Sequence, residues 1–339
     1  MKRNIIINKT NLINFKFIKD LTNDSFAYAQ LDNIFIVVKS SEDNIILIYS
    51  NNMKSIISYN MINYQILTEI KNAHDNYITN FRYYFDNINK RDLILSISFN
   101  DNNIKLWNIK NWNCLLNIKN VNKSGYLYSA CFLNDNNQNY ILSSNSNLDI
   151  LNCESIKLYD FYGKEIREIK GSDYDTYFID SYFDNNLLKN YLITSNKEYI
   201  KSYDYNNNQI YHEYYDFCSK NHYNFVINCN EKNVNLIESS YDGNIRIWDF
   251  HSGILLNKIK VSSNELYGIC LWDNNYLLAG CGDNTIKLIN IKNKNVFNTF
   301  KGHKNVVLSL KKVSHPHYGE CLISQGFSND KIKLWNCIS

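Results

Sequence analysis

Ile245-Arg246-Ile247-Trp248-Asp249 is a short β-branched run closed by a bulky aromatic residue and an acid, and the chain repeats it. The pattern returns as Ile56-Ile57-Ser58-Tyr59-Asn60, Ile104-Lys105-Leu106-Trp107-Asn108, Ile156-Lys157-Leu158-Tyr159-Asp160 and Ile200-Lys201-Ser202-Tyr203-Asp204. It occurs twice more, as Ile286-Lys287-Leu288-Ile289-Asn290 and Ile332-Lys333-Leu334-Trp335-Asn336. The marker positions 59, 107, 159, 203, 248, 289 and 335 are 48, 52, 44, 45, 41 and 46 residues apart. A period of that size, carried by one strand-like signature, predicts a propeller of small four-stranded sheets. Seven such units account for residues 1–339. The expectation is therefore one all-β domain, although the length alone would also allow two ordinary domains.

The unit is clearest between residues 263 and 301. Leu266 to Leu271, Tyr276 to Ala279, Thr285 to Ile289 and Val296 to Lys301 read as four strands. The turns between them are rich in Gly, Asn and Asp, which describes an antiparallel meander. The fourth strand recurs independently as Ile66 to Lys71, Cys114 to Lys119, Glu165 to Lys170 and Leu255 to Lys260. Its Lys suits an outermost strand, whose free backbone edge must be kept from pairing with other chains. After Trp335 only four residues follow, so the last unit has no fourth strand of its own. Leu12-Ile13-Asn14-Phe15-Lys16-Phe17-Ile18, within an N-terminal stretch of about 1–31, is expected to supply it. The ring then closes without an open edge.

These segments resemble the WD40 repeat family over nearly the whole chain. Ser239-Ser240-Tyr241-Asp242-Gly243-Asn244 ahead of Ile245 to Asp249 matches best, and the Gly-His pair of the family is present as Gly302-His303. Ala73-His74 keeps only the His. The family's turn Asp, six residues before the Trp position, is present at Asp101, Asp242 and Asp283. Met53, Cys153, Lys197 and Asn329 replace it elsewhere, with Asp330 one residue late in the last repeat. The resemblance implies a buried hydrogen-bonded set of His, Ser or Thr, Asp and Trp in each blade. Only the last repeat reads as complete, with His303, Ser324, Asp330 and Trp335. The other blades are expected to rest on apolar packing.

Composition narrows the function classes. Lys plus Arg number 36 against 33 Asp plus Glu, which gives no electrostatic case for nucleic acid or an anionic membrane as partner. Arg is confined to Arg3, Arg82, Arg91, Arg167 and Arg246, too few for a clustered anion-reading pocket. The 9 Cys include no CxxC pair, which reads as buried reduced thiols inside a cell. The apolar run after Met1-Lys2-Arg3 is too short for a signal peptide, and none is long enough to span a bilayer.

Candidate chemistry is sparse. His315-Pro316-His317 carries two imidazoles but no further metal-ligating residue nearby, so it reads as a solvated loop. Asp173, Asp175 and Asp180 are acidic, yet an acid–base pair needs burial and proximity that sequence does not show. No GxSxG elbow, P-loop or GxGxxG occurs. The Phe-Arg-Arg-Gly motif of phosphoinositide-binding propellers is not matched by Phe81-Arg82-Tyr83-Tyr84. The WDxR box of one ubiquitin-ligase adaptor is not matched by Trp248-Asp249-Phe250-His251.

The expected protein is a non-catalytic WD40-like scaffold in the cytoplasm, or in the nucleus, with no metal and no cofactor. It would bind other proteins or peptides through loops and the mouth of its channel, as a monomer or within a larger complex. A substrate-recognition or regulatory subunit, for example of a ubiquitin ligase, is the alternative, and a propeller enzyme a further one. Candidate contact segments are the unusually long inserts Asn122 to Gly125 and Asp135 to Tyr140, and the stretch Asn145 to Cys153 that lengthens the third repeat.

Overall fold

A computed structural model describes residues 13–22, 34–51, 54–119, 121, 126–145, 154–172, 176–217, 221–230, 233–328 and 330–338. All regular structure there is β-strand. Strand β1 (Asn14–Asp20) precedes the first complete blade, β2 (Phe35–Lys39), β3 (Ile45–Asn51), β4 (Ser55–Asn60) and β5 (Ile66–Ile70). Blade 2 is β6 (Ile78–Asp86), β7 (Arg91–Ser98), β8 (Asn103–Asn108) and β9 (Cys114–Ile118). Blade 3 is β10 (Leu127–Asp135), β11 (Gln138–Asn145), β12 (Glu154–Asp160) and β13 (Glu165–Ser172). Blade 4 is β14 (Phe178–Asp184), β15 (Lys189–Ser195), β16 (Ile200–Asp204) and β17 (Gln209–Tyr214). Blade 5 is β18 (His222–Cys229), β19 (Val234–Ser240), β20 (Asn244–Asp249) and β21 (Leu255–Lys260). Blade 6 is β22 (Leu266–Leu271), β23 (Tyr276–Cys281), β24 (Thr285–Asn290) and β25 (Asn295–Lys301). Blade 7 is β26 (Val307–His315), β27 (Gly319–Gly326) and β28 (Ile332–Ile338), with β1 as its fourth strand.

Each sheet is an antiparallel meander, and the first strands of successive blades touch one another around a ring that returns from β26 to β2. Those first strands therefore line the central channel. We call the end where they begin the upper mouth and the end where they finish the lower mouth.

Why the strands read as unbroken apolar runs is clear from the packing. A strand presents alternate residues to its two faces, and here both faces are covered by neighbouring blades. In β7, Leu93 and Leu95 face blade 3 while Ile94 faces blade 1. Seven buried clusters result, one at each seam. Every marker residue packs against the preceding blade: Trp107 against blade 1, Tyr159 against blade 2 and Tyr203 against blade 3. Trp248, Ile289, Trp335 and Tyr59 do the same around the rest of the ring. A bulky residue at that register is what fills the seam.

Ring closure takes the expected form, two residues further along than the sequence placed it. β1 pairs antiparallel with β28, from Asn14 opposite Ile338 to Asp20 opposite Lys333. Phe15 enters the seam with blade 6, its ring 4.7 Å from Trp272 and 5.2 Å from Phe300. Phe17 lies edge-on to Trp335 at 5.5 Å, and Asp20 pairs with Lys333 Nζ at 2.8 Å.

Three sequence expectations are corrected. Asp135 to Tyr140 is no long insert: β10 and β11 join through a tight turn at Asn136 and Asn137, both at positive φ (48 and 62), a conformation Asn tolerates. His315 is not a solvated loop residue but is buried, with Nε2 donating to the carbonyl of Met61 across the seam to blade 1 at 2.9 Å. The thiols are not uniformly inside either: Cys131, Cys270, Cys281 and Cys321 are buried, while Cys114 and Cys229 are exposed. Asn122 to Gly125, residues 146–153, and Asp173 and Asp175 lie outside the described residues.

Candidate functional site at the channel mouths

The polar residues singled out by the repeat converge at the upper mouth. In blade 7 the indole N–H of Trp335 donates to Ser324 Oγ at 2.7 Å, and Ser324 in turn meets His303 Nε2 at 2.6 Å. His303 Nδ1 lies 2.9 Å from Asp330 Oδ2. Because the carboxylate can only accept, Nδ1 carries the proton, Nε2 accepts from the hydroxyl, and each donor in the line has an acceptor. Asp330 Oδ2 also accepts the backbone N–H of Lys304 at 2.8 Å, so the one-residue displacement of this Asp is absorbed. Burial alone would raise its carboxyl pKa, but the His303 hydrogen bond and the backbone N–H donors outweigh burial and hold it well below the usual range. Gly302 is required beside it: a Cβ there would lie 2.8 Å from Trp335 Cη2.

Sequence reasoning missed a second complete set. In blade 2, Trp107 Nε1 donates to Ser96 Oγ at 2.8 Å, Ser96 meets His74 Nε2 at 2.8 Å, and His74 Nδ1 lies 3.3 Å from Asp101. The signal was present: Ser96 and Ser324 each stand eleven residues before their Trp. Ala73 in place of Gly obscured it. Since Ser324 both accepts and donates, Ser324→Ala orphans two buried groups. We expect a loss of roughly 1–3 kcal/mol in urea denaturation, and Ser96→Ala should cost blade 2 a similar amount.

The other two turn Asp residues take different partners. Asp283 pairs with Lys287 at 2.8 Å and caps the N–H of Thr285. Asp242 belongs to a network of another kind. Within blades 2, 5 and 7, Ser96, Glu238 and Ser324 occupy one register position, opposite Lys105, Arg246 and Lys333 respectively. In blade 5 the hydroxyl is thus replaced by a fully buried carboxylate. Glu238 Oε2 lies 2.6 Å from His222 Nδ1, and Arg246, also fully buried, bonds to Asp242, to Asp216 at 2.8 Å and to Ser240 at 2.7 Å. Trp248 Nε1, in the blade with the best-matching repeat, has no hydrogen-bond acceptor among the described residues. Blades 2 and 5 thus add buried polar networks to the apolar packing expected to be their main support.

None of these sets is open to a substrate: their members hold one another. What the upper mouth does present is aromatic surface. Phe99 and Tyr126 stack at 4.4 Å, Tyr128 lies edge-on to Phe99 at 5.1 Å and to Tyr177 at 5.6 Å. Further round, Tyr223 and Tyr267 stack at 4.7 Å. These tyrosines precede or begin channel-lining strands; Tyr126, Tyr128, Tyr177 and Tyr267 are half-buried and Tyr223 is buried. Among the described residues no group of three or more His, Cys, Asp or Glu is placed to hold a metal ion.

Comparison with known proteins agrees with this architecture. Over 107 residues the chain is 31% identical to the WD repeat domain-containing protein 83 homolog of Dictyostelium discoideum, covering 31% of each chain. Over 82 residues it is 30% identical to the Target of rapamycin complex subunit wat1 of Schizosaccharomyces pombe, 24% of this chain and 26% of that one. A 79-residue segment is 28% identical to the U3 small nucleolar RNA-associated protein 21 homolog of the same yeast, 23% of this chain and 9% of that one. The relatives are WD repeat proteins, and this chain is a seven-bladed propeller. The matched segments span no more than a third of any of these relatives. No family model matches the chain. In this propeller the repeat's polar residues staple blades 2 and 7, and the aromatic arc lies at the same end of the ring.

Proposed function

We propose that the propeller is a non-catalytic scaffold that binds protein segments at its upper mouth. The observation that carries this is the aromatic arc of Phe99, Tyr126, Tyr128, Tyr177, Tyr223 and Tyr267. Tyrosine offers wide, stiff contact area with a polar tip at little conformational cost, which is why it concentrates in interfaces. The polar clusters in the blades are engaged in hydrogen bonds and ion pairs within the fold, which supports a binding role over a chemical one. The free thiols of the described cysteines are in keeping with a location inside the cell.

A second reading is service within a stable assembly, favoured by the name of one relative, a Target of rapamycin complex subunit. One experiment tests both. Affinity capture from the native cell, with quantitative mass spectrometry, is carried out on the wild type and on Tyr128→Ser/Tyr177→Ser/Tyr267→Ser. Loss of the captured proteins from the variant, with Leu256→Ser on the outer rim unaffected, is the expected result. An unchanged protein set would refute the upper-mouth reading. Co-purification of a fixed-stoichiometry complex would favour the subunit role over a transient scaffold.

A further inference from the structure

The lower mouth carries a feature that the upper-mouth reading does not use. The finishing ends of β6, β10 and β14 enclose an open concavity of about 810 Å³. Arg82 crosses its floor: from blade 2, its Nε donates to the carbonyl of Ala130 in blade 3 at 3.2 Å and its Nη2 to that of Ile179 in blade 4 at 3.0 Å. Its guanidinium also lies over the Phe178 ring at 4.6 Å. Arg82 is thus a strut that ties three blades, with its Nε and Nη2 donors engaged by backbone carbonyls.

Two carboxylates line the same concavity. Asp180 accepts the N–H of Ser181 at 2.9 Å, and Asp135 accepts Asn190 Nδ2 at 3.3 Å. Among the described residues neither forms an ion pair, so both stay available to a cation entering from solvent.

Apolar side chains are exposed beside these carboxylates. Phe183, 45% exposed, and Leu188, 74% exposed, line the concavity, and Leu187, 51% exposed, precedes Leu188 in the same turn; Ile88, in the matching turn of blade 2, is 65% exposed. The two turns are built alike. Asp86 caps the N–H groups of Ile88 and Asn89, and Asp184 caps those of Asn186 and Leu187. At the following residue both adopt positive φ, 50 at Lys90 and 51 at Leu188. Asn holds seven of the 13 left-handed non-Gly positions among the described residues, yet this turn keeps two exposed leucines, one of them in a conformation costly for a branched side chain.

We infer that the lower mouth is a second docking site, for a basic peptide segment of a protein partner. A Lys or Arg side chain enters beside Asp180 and Asp135 while flanking apolar residues lie on Phe183, Leu187 and Leu188. Charge complementarity selects this occupant: two carboxylates, neither in an ion pair among the described residues, against one guanidinium leave the lining net negative. An acidic segment would meet repulsion, and a purely apolar one would bury the carboxylates without a counter-charge. The site is independent of the tyrosine arc, since it lies at the other end of the channel.

The test is selection of a random peptide library displayed on phage against the immobilised full chain, with Leu187→Asn/Leu188→Asn and Asp180→Asn as comparison targets. Enriched peptides should carry a Lys or Arg next to an aliphatic or aromatic residue. A synthetic copy of the strongest should bind the wild type at least about tenfold more tightly than either variant. Asn suits the left-handed turn position, so the double-leucine variant should melt no lower than the wild type, which separates lost binding from lost folding. Failure to enrich any peptide, enrichment without basic residues, or binding that both variants leave unchanged would each overturn the proposal. Peptides that lose binding only in the tyrosine variants would report on the upper mouth and count against this one.

Discussion

Deleting residues 1–20 should lower the melting temperature of the propeller by at least about 10 °C, or prevent recovery of folded protein. The deletion removes β1, and with it the whole outer strand of blade 7 and its pairing to β28. It also empties the position of Phe15, 6% exposed and set edge-on against Trp272 and Phe300. Emptying an aromatic core position costs about 3–5 kcal/mol by itself. The lost strand adds to this, because the unpaired β28 becomes an exposed edge that invites aggregation. The single substitution Phe15→Ala should reproduce much of the loss, whereas Lys16→Ala, at an exposed position on the same strand, should be nearly silent. A truncated chain that melts with the full-length protein would show that the seam between the first and last blades holds without β1.

What was legible in the sequence was whatever repeats. The marker residues 59, 107, 159, 203, 248, 289 and 335 could be read because one physical demand, filling the seam with the preceding blade, recurs in every unit. The closing strand could be read because the last unit lacks one. Features that depend on meetings between distant residues were hidden. The His74 set required the Ser at a fixed distance before Trp107 to be weighed above the lost Gly. His315 looked like a loop residue because its partner, the Met61 carbonyl, lies 254 positions away. The lower mouth needs residues from three blades, Arg82, Asp135 and Asp180, each in an unremarkable local context. In blade 5 the repeat even misdirects. The segment ending in Trp248-Asp249 has the family's best local match, yet the indole N–H has no acceptor among the described residues, and Glu238 stands where blades 2 and 7 carry Ser96 and Ser324.

That substitution makes Arg246 the side chain whose loss should cost most outside the closing strand. Arg246 and Glu238 are both fully removed from solvent, and the guanidinium also serves Asp242, Asp216 and Ser240. Arg246→Met preserves bulk but leaves these acceptors with one cation fewer, an uncompensated buried charge worth about 3–5 kcal/mol. Urea denaturation at neutral pH should show that loss, and Glu238→Gln added to Arg246→Met should recover a good part of it by removing the orphaned charge. If the double variant were no more stable than the single one, the cost would lie in packing and not in the buried carboxylate. Acid provides a further check. Burial by itself would raise the Asp242 carboxyl pKa, but the hydrogen bonds from Arg246, Ser240 and Asn244 outweigh it and hold the group well below the usual carboxylate range. A carboxyl depressed in the folded state contributes stability that is complete above its unfolded pKa and lost as pH falls toward the folded one. The gap between wild type and Arg246→Met should therefore be constant from neutral pH down to about pH 5 and narrow at about pH 3. Salt should change it little, because the pair lies out of reach of mobile ions.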